Sequence, residues 1–147
     1  MTRKIALLAP FLLLAACNPR NAEPTVTQAW VRLPAVSGQP AAAYFTMIGG
    51  RHAEVLVRME STLAAKTEMH QSMRGMQGMT SMAPLDHVDV PAGGTVQFKP
   101  GGNHAMLIGL DPAIKPGTAV PIRFGFSDGT TTEGEAKTVS AGEDAPY

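Results

Sequence analysis

The chain has 147 residues, 16% of them charged and 44% hydrophobic, with no formal net charge at pH 7. That size fits one domain, and the apolar share supports a packed core and argues against disorder. The missing basic excess argues against nucleic acid as a partner, and a single cysteine rules out an internal disulfide framework.

The N-terminus reads MTRKIALLAPFLLLAAC. Arg3 and Lys4 precede an apolar run from Ile5 to Ala16 that is too short to span a bilayer and is laid out as a secretory signal. Its end, LAAC, resembles the lipobox of bacterial lipoproteins, which implies that Cys17 is lipidated and becomes the first mature residue. The plainer alternative is an ordinary signal peptide that discards Cys17. We therefore expect a lipoprotein-type signal at 1–16, a lipidated tether at 17–24, a folded domain at 25–140 and a flexible tail at 141–147. The folded part then holds no thiol, so soft-metal chemistry there must use methionine.

From residue 25 the pattern is β. TVTQAWV, AAAYFTMI, AEVLVRME, HVDV, TVQF, HAMLIGL, AVPIRFGF and EAKTVS are short runs of β-branched, aliphatic or aromatic residues. LPAVSGQP, IGG, PAGG, KPGGN, DPAIKPG and SDGTT separate them as turns. No long stretch has helical periodicity, so the expectation is an all-β sandwich or small barrel. Trp30, Tyr44 and Phe45 read as core aromatics, and Met47 and Met59 as core fillers. His52 and His87 read as solvated histidines. Asp86 and Asp89 beside His87 leave a weaker Cu(II) site there as the alternative.

Residues 69–82, MHQSMRGMQGMTSM, hold five of the chain's nine methionines. As a helix, Met69, Met73, Met76, Met79 and Met82 would drift through roughly 180° of the circumference at about 100° per residue. Gly75 and Gly78 would each cost such a helix about 1 kcal/mol. A hairpin fits better, with its turn in RGMQG centred on Met76, which places His70 opposite Met82. Downstream, NHAML puts His104 and Met106 two apart on a strand, so both leave one face. If the hairpin packs against that strand, two imidazoles and two thioethers converge.

Thioether sulfur is soft and neutral. It suits Ca²⁺, Mg²⁺ and Zn²⁺ poorly, and together with imidazole it selects Cu(I). Both histidines must be neutral to bind, so affinity should fall below about pH 6.5. Blue-copper electron transfer needs a cysteine thiolate, which the domain lacks. No Ser–His–Asp grouping, phosphate loop or carboxylate pair points to an enzyme. Met73, Met76 and Met79 read either as a loop that tolerates methionine or as a set of auxiliary soft donors that guides Cu(I) or docks a partner.

His70, Met82, His104 and Met106 occur as His, eleven residues, Met, twenty-one residues, His, one residue, Met. With AWVRLPAVSGQPAAAYFTM and VPAGGTVQFKPGGNHAMLIGL around them, the chain resembles the PCu(A)C family of periplasmic copper chaperones over roughly residues 25–126. The resemblance implies a cupredoxin-like Greek-key β-barrel that binds one Cu(I) through those four side chains. It also implies delivery in the periplasm toward the Cu(A) centre of cytochrome c oxidase or to a partner chaperone, and the lipobox-like LAAC adds the expectation of a membrane anchor there. Many relatives carry methionine where this chain has Gln71, and Met73, Met76 and Met79 are more numerous than usual. Two other functions remain open at this point: an envelope copper buffer for copper tolerance, and a metal-free β-sandwich interaction module.

Overall fold

The computed structural model describes residues 23–75 and 78–147. Ten strands make up the regular structure of these residues: β1 Thr25–Arg32, β2 Ala41–Ile48, β3 Glu54–Glu60, β4 Ala64–Arg74, β5 Thr80–Pro84, β6 Val88–Val90, β7 Thr95–Phe98, β8 Asn103–Leu110, β9 Ala119–Phe126 and β10 Thr131–Val139. The expected all-β class is the observed one. The eight short runs coincide with β1, β2, β3, β6, β7, β8, β9 and β10, and the methionine stretch forms the β4–β5 hairpin. β4 begins well before that stretch, at Ala64, and β10 begins at Thr131 rather than Glu135. Their Ala, Lys and Gly residues have low β propensity, and ladders with β8 and β9 override it.

The pairing order is β5-β4-β8-β2-β1-β10-β9-β3-β6, with β7 added to β2. Strands distant in sequence are neighbours here, as in a Greek key. β1 and β10 run parallel, and the other pairs are antiparallel. One edge of β2 is shared: Ala41 to Ala43 pair with β8, and Phe45 to Ile48 pair with β7. The sheet curls on itself. The Phe45 ring of β2 lies 4.3 Å from Phe98 and 4.9 Å from Phe124 of β9, although β1 and β10 separate β2 from β9 in the pairing order. Val31, Met47, Leu56, Leu107, Val120 and Phe124 are fully enclosed between the layers. Met59 belongs to the same core.

One expectation needs correction. Trp30 and Tyr44 are buried outside the main core, in a smaller cluster with Val139. For Tyr44 this is the plain alternation of β2, and for Trp30 the cause is a β-bulge. The register of β1 on β2 shifts between Thr27 and Trp30, and Gln28 adopts φ +51°. The extra residue changes the parity of β1, so Trp30 and Tyr44 meet on the outer face while Val31 and Ala43 face inward. Residues 141–147 are hydrogen-bonded to β1 at two points. Arg32 Nε donates to the Glu143 carbonyl at 3.0 Å, and Tyr147 Oη donates to the Ala29 carbonyl at 3.1 Å.

Candidate metal centre

β4 lies between β5 and β8, and these three strands carry all four residues expected to bind metal. The β4–β8 ladder makes His70 and His104 direct cross-strand partners. Their ring centroids are 6.0 Å apart, and the ring planes are inclined by 27°. Met106 follows His104 by two residues and therefore leaves the same face. It pairs with Glu68 on one side and Ala42 on the other. Their neighbours Met69, Ala105 and Leu107 point the opposite way, into the core. The histidine face is thus the outer surface of the sheet.

The hairpin exists as expected, and its register differs. Met82 pairs with Ser72, and His70 pairs with Pro84. The ladder is centred on position 77 instead of Met76. This register sets Leu85 opposite buried Met69, with Leu85 N–H donating to the Met69 carbonyl at 2.8 Å and its side chain packed on the core. Burial of Leu85 favours it over the register centred on Met76, which would put Ala83 there. A shift of two residues preserves the face, so Met82 becomes the diagonal neighbour of His70. At such a separation, about 7–8 Å, long side chains still meet.

The hydrogen bonds define the imidazoles. His104, 7% exposed, lies 3.0 Å through Nδ1 from the Gly102 carbonyl. A carbonyl only accepts, so Nδ1 carries the proton and Nε2 keeps its lone pair. The same carbonyl accepts from Ser72 N–H at 3.1 Å, so one oxygen ties β4 to β8 and fixes the His104 tautomer. His70 Nε2 lies 3.1 Å from Glu68 Oε2, and Lys66 Nζ lies 2.5 Å from Glu68 Oε1. Hydrogen bonding from Lys66 first, then from His70, holds the Glu68 carboxyl below the usual carboxylate range. Ionised Glu68 accepts from His70 Nε2–H and leaves Nδ1 of His70 as the free donor atom.

Sequence reading missed Glu68. Its only local signal is the Glu-x-His alternation that puts it on the His70 face. Met73 leaves the reverse face of the hairpin, and both Met73 and Met79 are exposed. Met76 and Cys17 lie outside the described residues. His52 and His87 are exposed, as expected. The Cu(II) site considered beside His87 is not supported: among the described residues no group of three His, Cys, Asp or Glu side chains could hold a metal. Thioethers lie outside that count. The arrangement therefore offers two imidazoles and two thioethers on one outer sheet face, with one ionised carboxylate beside His70.

Residues 24–138 match the model of the family "Putative lipoprotein LpqE-like". "Putative lipoprotein Lxx21020" of Leifsonia xyli subsp. xyli is 31% identical over 107 residues, 73% of this chain and 64% of the relative. The chain thus spans just under two thirds of that relative's length. "Uncharacterized protein RP573" of Rickettsia prowazekii is 31% identical over 135 residues, 88% of this chain and 72% of the relative. Among solved structures, the copper-bound PCuAC domain from PmoF2 superposes with a TM-score of 0.65 at 19% identity, covering 81% of this chain and 93% of that domain. Apo-DR1885 from Deinococcus radiodurans superposes with a TM-score of 0.59 at 27% identity, covering 97% and 99%. Its Cu(I) form gives 0.58 at 25% identity, covering 84% and 82%. The fold is the cupredoxin-like β fold of PCuAC domains, and the chain belongs to the LpqE-like family of the PCu(A)C type.

Proposed function

We propose that this chain is an exported copper chaperone that carries one Cu(I) held by His70, Met82, His104 and Met106. The observation that carries this reading is the opposed pair His70 and His104, ring centroids 6.0 Å apart, on the outer face that Met82 and Met106 share. Imidazole and thioether together are a soft, neutral donor set, which suits Cu(I) over harder ions. A set without thiolate holds the ion less firmly than cysteine would, as suits a carrier that must release it. Exposure of Met82, at 58%, gives an acceptor a side from which to approach. The family is one of copper-binding domains and not of enzymes. DR1885, whose apo form covers 97% of this chain, has also been solved with Cu(I), in a form that covers 84%.

The acceptor in this reading is the Cu(A) centre of cytochrome c oxidase or a second copper chaperone, reached in the periplasm. Lipidation of Cys17 after removal of residues 1–16 anchors the domain to a membrane through the 17–24 tether. Relatives named as lipoproteins support that anchoring. X-ray absorption on the Cu(I)-loaded protein tests the donor set: two nitrogens and two sulfurs are expected, and a shell without sulfur refutes it. Incubation of the loaded protein with an apo Cu(A) domain tests delivery. Copper that stays with the donor leaves the protein a buffer instead of a chaperone.

A further inference from the structure

The methionines of the hairpin divide between its two faces. Opposed residues of an antiparallel pair share a face, and faces alternate along each strand. Met82, opposite Ser72, therefore lies with His70. Met73, opposite Ser81, lies with Met69 on the other face. The Gly75 N–H donates to the Met79 carbonyl at 2.8 Å, which extends the same register by one pair and puts Met79 diagonal to Met73 on that reverse face. Gly75, directly across from Met79, has no side chain. Among the described residues, the Met79 carbonyl oxygen would lie 3.4 Å from a Cβ added there. On the reverse face at the hairpin end, Gly75 thus puts no side chain between the two thioether residues Met73 and Met79.

These side chains lie beyond the core that covers Met69. Met73 is 45% exposed and Met79 69% exposed, so packing does not account for them. Large apolar side chains gain stability when buried, and here two of one chemical type are left in water side by side. Their common property is a polarizable sulfur with free lone pairs.

We propose that Met73 and Met79 form a second, weaker site for a soft monovalent cation, separate from the histidine face. Its donors are thioethers alone, so no proton leaves on binding, and hard divalent ions are excluded by ligand type. Two donors without imidazole bind more weakly than four, so the ion exchanges readily here. The site is on the opposite side of the ribbon from His70, and its occupancy does not require the histidine site to be filled.

Ag(I), a redox-stable soft monovalent ion, is the probe. It would be titrated into full-length chain carrying Cys17→Ser, which removes the one thiol, with methyl-¹³C methionine observed by NMR. The Met82 and Met106 methyl signals should move with the first equivalent, and those of Met73 and Met79 with the second. Met73→Leu with Met79→Leu should abolish the second step and leave the first unchanged. Met73 and Met79 signals that stay fixed beyond one equivalent would overturn the proposal, as would a second ion still bound by the double variant. Failure of the histidine site reads out differently, as a first step unaffected by Met82→Leu with Met106→Leu.

Discussion

Glu68 and His70, two residues apart on β4, are joined by a hydrogen bond of 3.1 Å between Oε2 and Nε2. Lys66 holds the other carboxylate oxygen, so the acceptor is fixed in place by a cation that does not itself touch His70. Partners of this kind orient an imidazole and raise its basicity, and losing one costs about 10–100-fold in metal affinity. Glu68→Ala should lower Cu(I) affinity within that range, measured by competition with a chelator. Glu68→Gln keeps an acceptor without the charge and should lose less. Equal affinities for the wild type and the alanine variant would show that His70 needs no such support.

Met82 and Met106 differ in burial, yet the same substitution tests both. Leucine nearly conserves methionine's volume, so Met82→Leu with Met106→Leu should change stability by less than about 1.5 kcal/mol. Sulfur is lost at both positions, and Cu(I) affinity should drop by far more than Glu68→Gln produces. A double variant that unfolds at the wild-type denaturant midpoint and binds Cu(I) as tightly as the wild type would remove both residues from the donor set.

The parts of this molecule that were legible in the sequence are those set by neighbours along the chain. His104 and Met106 share a face because strand alternation is local, and the hairpin announces itself through its glycines. Its register was not legible, because Leu85 reaching the core beside Met69 depends on packing across the sheet. The outward placement of Trp30 turns on a single extra residue at the Gln28 bulge, which no composition signal marks, whereas Tyr44 faces outward by the plain alternation of β2. Glu68 stood in plain view two residues before His70. Its role emerges only once the β4–β8 ladder sets His70 across from His104 and Glu68 across from Met106.

The turn between β9 and β10 gives a test of electrostatics away from the metal face. Asp128 Oδ1 accepts from Thr130 N–H and from Thr130 Oγ1–H, each at 2.8 Å, and the backbone bond first, then the hydroxyl bond, holds its carboxyl below the ordinary 3.8. A carboxyl with a depressed folded-state pKa contributes stability that is full above the unfolded value and drains away as pH falls through the folded one. Asp128→Ala should therefore lower the unfolding midpoint at neutral pH. The gap to the wild type should close as the solution is acidified below that ordinary value. A gap of constant size down to strong acid would mean that the charge has no part in it.

Arg32 joins the outer aromatic cluster to the chain end, and its loss should be felt in both. Its guanidinium carbon lies 5.0 Å from the Trp30 ring centroid and 5.8 Å from that of Tyr44. Its Nε bonds the Glu143 carbonyl. Its contact with Asp144, at 3.9 Å to a fully exposed carboxylate, adds little. Arg32→Ala should cost about 1–2 kcal/mol, from the lost cation–π contacts and the lost hydrogen bond. Burial raises the Tyr44 phenol above its ordinary value and Arg32 opposes that rise, so the variant should titrate Tyr44 higher still. Removing residues 141–147 tests the same link from the other end. If the tail is held mainly through Arg32, the truncated Arg32→Ala protein should lose less stability than the two single changes added together. The chain's one tryptophan, Trp30, reports on this cluster by fluorescence. Strict additivity of the two losses would mean that the tail is held by Tyr147 and Ala29, independently of the arginine.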